Sequence, residues 1–208
     1  MLPLLLALVQ HPPAIELRSG LVISHSARIV PRVYRLTAPI TVKGDDLTVD
    51  FQGATLQGIA READPDLARD TAIIVAGGHN VSMVRARVRG YKVGILARGT
   101  RGLALIGNDL SYNWKPRLFS LVEHESLVDW LSFHHNERDE WLRFGAAIYL
   151  ADVTGGAVRD NTVEQGMNGL LLVRSNGLAI RDNNFSFNSG LGIGLYRSSD
   201  DKIGRAHV

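Results

Sequence analysis

An interval constrains this chain more than any single motif. "AIYLADVTGGAVRDNTV" from Ala147 matches "GLLLVRSNGLAIRDNNF" from Gly169 in character at most positions, at an offset of 22 residues. Ile148 falls on Leu170, Leu150 on Leu172, Val158 on Ile180 and Asn161 on Asn183. "GIGLYRS" from Gly192 repeats "GLLLVRS" one residue late, and "TAIIVAGGHNVSMVRARV" and "VGILARGTRGLALIGNDL" stand about the same interval apart upstream. A period of 21 to 23 residues fits a leucine-rich repeat or a β-solenoid coil of about three short strands. The units favour the solenoid. Each holds runs of three to five residues rich in Val, Ile and Leu, separated by turns such as "GGHN", "RGTRG" and "RSNG", with no helical periodicity of useful length.

The spacing carries two structural expectations. Segments around Ile73–Val75, Ile95–Leu96, Ile148–Leu150, Leu170–Leu172 and Ile193–Leu195 should be successive parallel strands of one sheet. Asn108, Asn161 and Asn183 share one phase of the repeat, so their amides should stack inside a turn, where Asn also tolerates left-handed backbone. Ala86 occupies that phase one coil earlier, so the ladder should begin at Asn108.

One stretch departs from this pattern. Ile95 and Ile148 lie 53 residues apart, one repeat of 22 plus 31 more, which marks residues 111–145 as an insertion between two coils. It holds all three tryptophans of the chain and three of its seven histidines. Leu118, Leu121, Val122, Val128 and Leu131 recur at helical spacing, and "SLVD" and "NERD" resemble capping boxes. The expectation is two short helices with a turn near His134–Asn136, held to the solenoid by Leu121, Val128 and Leu131. The turn residues would then face the sheet of the coils that contain Ile95 and Ile148.

"VYRLTAPITVKGDDLTVDFQGATLQG" from Val33 and the repeating units after it resemble right-handed parallel β-helix proteins of the pectate-lyase-like superfamily, including their carbohydrate-binding and sugar-hydrolase repeats. The resemblance covers roughly residues 28–203. It implies an all-β, right-handed, single-stranded parallel β-helix with a helical insertion. It also implies an extracytoplasmic partner, a polysaccharide, although such folds serve lyases, hydrolases, epimerases and non-catalytic binders alike. The domain reading is a signal or cap segment at 1–14, a β-helix at 15–203, and a non-native tail of a truncated chain at 204–208. "MLPLLLALVQHPPA" resembles a signal-peptide core and is too short to span a bilayer, pointing to a secreted or periplasmic location.

The insertion supplies candidate chemistry for such a polymer. His134, His135, Arg138 and Lys115 are the candidate catalytic residues, able to neutralise a sugar carboxylate and abstract the adjacent ring proton. Trp114, Trp130 and Trp141 offer aromatic faces and Arg117 and Arg143 offer charge for substrate binding; the tryptophans could equally be packing anchors. Hydrolysis would need two flanking carboxylates, and Glu123, Glu125, Asp129, Glu137, Asp139 and Glu140 are too many to choose among. A transition-metal site at His124, His134, His135 and Glu137 lacks ligand spacing. Calcium, which serves several resembling lyases, would use Asp45, Asp46 and Asp50, or Ser198, Ser199, Asp200 and Asp201. The chain has no cysteine for disulfides or thiolate ligands. Its 23 basic and 21 acidic residues are interspersed, unlike a nucleic-acid footprint.

Overall fold

The computed structural model describes residues 12–205. The apolar runs become short strands that pair only in parallel. Seven of them, Val22–Ile23, Ile40–Val42, Thr71–Ala76, Val93–Arg98, Ala146–Ala151, Leu170–Val173 and Ile193–Tyr196, stack in chain order into one sheet. Their register places Ile73 on Ile95, Ile95 on Ile148, Ile148 on Leu170 and Leu170 on Ile193, as the repeat predicts. A second sheet has eight strands, from Ala14–Ile15 to Lys202–Gly204, and a third has three. The architecture is a parallel β-helix. Its core is the column of inward residues, among them Ile40, Ile73, Ile95, Ile148 and Leu170, all without solvent exposure.

The asparagine ladder forms. Asn108 Oδ1 accepts from Ala86 N at 2.9 Å. Asn161 Oδ1 accepts from both Asn108 N at 3.0 Å and Asn108 Nδ2 at 2.9 Å. Asn183 Oδ1 holds Asn161 in the same way. Each Nδ2 also reaches a main-chain carbonyl: Met83 O, Leu105 O and Val158 O. The column thus satisfies corner groups that the sheets cannot reach. A second column was not anticipated: Asn113 Oδ1 accepts from Tyr91 N at 3.0 Å, and Asn188 Oδ1 from Gly166 N at 3.0 Å. Gly166 interrupts its phase, which hid it.

Two excursions leave the coil. The register offset is 22 between Tyr34 and Leu56 but 32 between Leu56 and Val88, so one coil carries ten extra residues, looped out within 59–70. The sequence reading missed this loop, because its 3-10 turn at Pro65–Leu67 has no periodic apolar face. The second is the insertion, and the structure shifts its start. Trp114 N donates to Tyr91 O at 2.9 Å and Met167 N to Trp114 O at 2.8 Å, so Ser111–Trp114 still belong to the coil. The chain departs at Lys115 and returns at Gly145, whose φ is +58°; a Cβ there would lie 2.6 Å from the Trp114 ring and 2.8 Å from Lys92 O.

The expected helices do not form. Residues 115–145 contain three 3-10 turns, Leu127–Asp129, Leu131–Phe133 and Glu140–Phe144, and neither supposed box caps through its Ser or Asn side chain. Instead Asn136 Oδ1 accepts from Trp141 N at 3.0 Å from inside the core. Short helices are marginal unless a whole face is packed, and here the solenoid accepts only part of one. Leu131 is 3% exposed, whereas Leu121 is 67%, Val128 59% and Val122 100% exposed. The true anchors are Leu131, Trp141 and Phe144, which pack on Tyr149, Ala151, Leu171 and Val173. These lie on the outward side of the seven-stranded sheet. The sequence signal was available: "AAIYLA" and "LLLV" are continuous apolar runs, the mark of strands covered on both faces.

The supposed leader or cap lies largely outside the described residues, as do 206–208 of the supposed tail. Lys202–Gly204 pair with Ala179–Arg181. Among the described residues no helix is long and apolar enough to cross a membrane.

Candidate functional site

The two excursions meet at the root of the insertion. Trp114 Nε1 donates to Asp66 O at 3.3 Å, and Arg117 pairs with Asp64 at 2.8 Å, so the 59–70 loop is tied to the chain as it leaves the coil. The Lys92 ammonium lies 4.7 Å from the Trp114 ring centroid, and burial, helped by Arg69, holds its pKa below the usual lysine value. Between loop and coil lies a cleft of about 390 Å³. Its polar lining is Gln57, Arg61, Arg89, Tyr112, Lys115 and Gln165.

Arg89 organises this cleft. It ends the strand Arg87–Arg89, its Nη2 pairs with Asp109 at 2.7 Å, and its guanidinium lies 5.4 Å from the Tyr112 ring centroid. Its Nε is buried without a hydrogen-bond partner. Burial raises the Asp109 carboxyl, but Arg89 and Ser111 outweigh it and hold the group below the ordinary aspartate range. Tyr112 sits at φ +59° with most of its side chain exposed. Three cations, two amides and a phenol therefore converge, and no carboxylate lines the cleft.

A second polar group forms where the insertion crosses the seven-stranded sheet. Asp139, at φ +61°, accepts from Arg98 Nη1, from Arg174 Nη2 at 3.2 Å and from Tyr149 OH at 3.2 Å. Burial raises its pKa, but the hydrogen bonds and charges of Arg98 and Arg174 outweigh that and leave it lowered. Burial pushes the Tyr149 hydroxyl well up. Glu137 Oε1 accepts from Tyr196 OH and Arg197 Nη2, both at 2.7 Å, and Arg174 also pairs with Asp152 at 2.8 Å. Each carboxylate is occupied by arginine, so this seam is a latch.

The sequence-chosen residues are dispersed. Lys115 lines the cleft. Trp141 is buried edge-to-face against Tyr196, 5.3 Å between centroids, and serves as an anchor. Trp114 is pinned between Lys92 and Gly145. His134 packs within the insertion: its ring lies 5.0 Å from that of Phe144, with Arg143 Nη2 2.9 Å from its Nδ1. His135 and Arg138 are exposed, so Asn136 and Asp139 face the sheet in their place. The chain crosses the sheet without a regular helix, and one residue of shift exchanges inside for outside. Arg117 and Arg143 line one groove between the insertion and the coil, and Trp130 lines another.

Among the described residues no three His, Asp or Glu side chains converge to hold a metal. At the first supposed calcium corner Asp45 and Asp46 both contact His79, and Asp50 is paired with Arg85. At the second, Asp201 Oδ1 accepts from Leu178 N at 2.8 Å.

A family model agrees with this architecture. No curated protein matches the chain. Among solved structures, the catalytic domain of a GH87 alpha-1,3-glucanase in complex with tetrasaccharides is similar at 10% identity and a TM-score of 0.41, over 88% of this chain and 34% of that one. The chain therefore spans about a third of that protein's length. The family model described as "Right handed beta helix region" matches residues 71–206, and the chain belongs to that family.

Proposed function

We propose that this β-helix protein is carbohydrate-active, that it binds an acidic polysaccharide in the cleft at the root of the insertion, and that it acts there as a lyase or epimerase. One observation carries the reading: Arg61, Arg89 and Lys115 converge with Tyr112, Gln57 and Gln165 in a cleft without a carboxylate. Glycoside hydrolysis requires two carboxyl groups across the scissile bond, which this lining does not supply. Elimination and epimerisation instead require cations on the sugar carboxylate, where charge develops as the ring proton leaves, and a base for that proton. Arg61 and Arg89 suit the first task; Lys115 and Tyr112 suit the second. The Tyr112 ring and the two glutamines suit the apolar face and hydroxyls of a sugar. A polymer substrate of this kind places the protein outside the cytoplasm. In this reading His134, His135 and Arg138 lie away from the chemistry.

The test is titration of the chain with a panel of uronic-acid and neutral oligosaccharides, together with absorbance of the unsaturated product and solvent-proton exchange. Arg61→Ala and Lys115→Ala should each weaken acidic-glycan binding about tenfold, the loss of one charge-assisted contact. Binding without product or exchange would make the cleft a non-catalytic glycan site. Equal binding of neutral and acidic chains, or none, would defeat the proposal.

A further inference from the structure

The outer half of the insertion carries an apolar surface that the solenoid does not cover. Phe119, Leu121, Val122, Leu127, Val128 and Phe133 are all exposed, Val122 completely. Their arrangement is specific. Leu121 and His124 bond to each other in an antiparallel bridge, at 2.8 and 3.1 Å, so Val122 and Glu123 form the tip of a tight turn, with Glu125 directly after the bridge residue His124. This is an apolar knob that carries two acids.

Beside it lies a groove of about 250 Å³ between the insertion and the coil. Trp114, Phe144 and Met167 contribute apolar walls, with Phe119 and Val128 from the insertion. Arg117 and Arg143 also line it, with Asp129, whose Oδ2 is taken by Ser120 N and Oγ at 2.6 and 2.7 Å. The Arg117 side chain is 83% exposed and spends one Nη on Asp64; the Arg143 Nη2 contacts the His134 ring. Both guanidinium groups keep further donors free for an incoming carboxylate. The groove thus offers two guanidinium groups with spare donors among apolar walls, where the knob is apolar and acidic, and the two share no residue with the glycan cleft.

We propose that the occupant is a second copy of this chain: the Leu121–His124 turn of each copy enters the groove of the other, with Glu123 and Glu125 meeting Arg117 and Arg143. A knob and a groove carried on one patch are self-complementary, so the contact closes on a two-fold axis and stops at a dimer. Other occupants fit less well. A lipid surface with anionic headgroups would be repelled by Glu123 and Glu125 at the tip. A saccharide would find at Leu121, Val122 and Leu127 neither a ring to stack on nor a hydrogen-bonding group.

Sedimentation of the full chain from about 1 to 100 μM, the affinity range of modest interfaces, should show a monomer–dimer equilibrium. Val122→Asp should raise the dissociation constant about a hundredfold, because a two-fold interface counts each change twice. Measured at concentrations where both proteins are monomeric, its melting temperature should match the wild type's, since Val122 is fully exposed in the monomer. The Glu123→Arg, Glu125→Arg double variant should also dissociate, and Arg117→Glu with Arg143→Glu added to it should restore the dimer. A wild type that stays monomeric throughout overturns the proposal. So does a dimer that survives Val122→Asp, and failure of the charge exchange to restore association overturns the assigned pairing.

Discussion

The asparagine corner and the insertion are two answers to one problem, how to satisfy backbone that lies outside the strands. At the corner the answer is periodic: Asn108, Asn161 and Asn183 repeat one set of bonds coil after coil, and each amide depends on the next. In the insertion nothing repeats. Asn136, Asp139, Trp141 and Leu131 each meet the sheet beneath in a way of its own, and the segment between Pro116 and Val128 rests on little. The difference shows where stability is shared and where it is local. Damage to a ladder reaches its neighbours, while damage to the insertion should stay there.

The sharpest way to break this comparison is Asn161→Ala. It strips partners from Asn108 N, Asn108 Nδ2 and Leu105 O, all buried, and should cost about 3 kcal/mol. In a chain of this size that lowers the melting temperature by roughly 6–12 °C. Differential scanning calorimetry reads it, and an unchanged transition would mean the ladder is ornamental.

Asp139→Asn should have a smaller and confined effect. The Asp139 side chain is 15% exposed, but Arg98 and Arg174 are 40% and 31% exposed, so solvent screens the pairs and the loss should be about 1–2 kcal/mol. Faster amide exchange should be limited to residues 115–145 and the strand Ala146–Ala151. The pH dependence has a definite sign. The folded Asp139 carboxyl lies below its ordinary 3.8, so its contribution is complete above that value and is lost as pH falls through the lower folded one. The wild-type insertion should therefore loosen in acid below about pH 4. The Asp139→Asn variant should lack that step. Identical acid behaviour in the two proteins would show that the latch does not hold the insertion.

The smallest effect is expected at Val128→Asp. Helical spacing made Val128 a packing residue, and a charge there should have loosened the insertion. The side chain is instead 59% exposed, so the change should fall within about 0.5 kcal/mol in dilute protein. A loss above 2 kcal/mol by denaturant titration would restore the helical reading.

The fold was readable from the sequence because a solenoid writes its contacts at a fixed interval. Ile95 meets Ile148 and Asn161 meets Asn183 for the same reason that they align on paper: each coil packs on the next, so periodicity in sequence is proximity in space. The insertion had no such rule. Its apolar residues were visible, but which of them found a floor depended on how much of the outward sheet face was free, and that was settled by Tyr149 on the next strand and by Leu171 and Val173 one coil further on. The cleft was hidden for a similar reason: Gln57, Arg61, Arg89, Lys115 and Gln165 come from three coils and two excursions, one of them without a periodic apolar face. Of the residues chosen from sequence for catalysis only Lys115 reached the cleft, while His134, His135 and Arg138 pointed elsewhere. The sequence by itself determined the repeating body, where each contact is the local rule applied once more. Only the tertiary structure decided the insertion and the cleft, because side-chain direction outside a repeat is set by what lies opposite, and the interval says nothing about that.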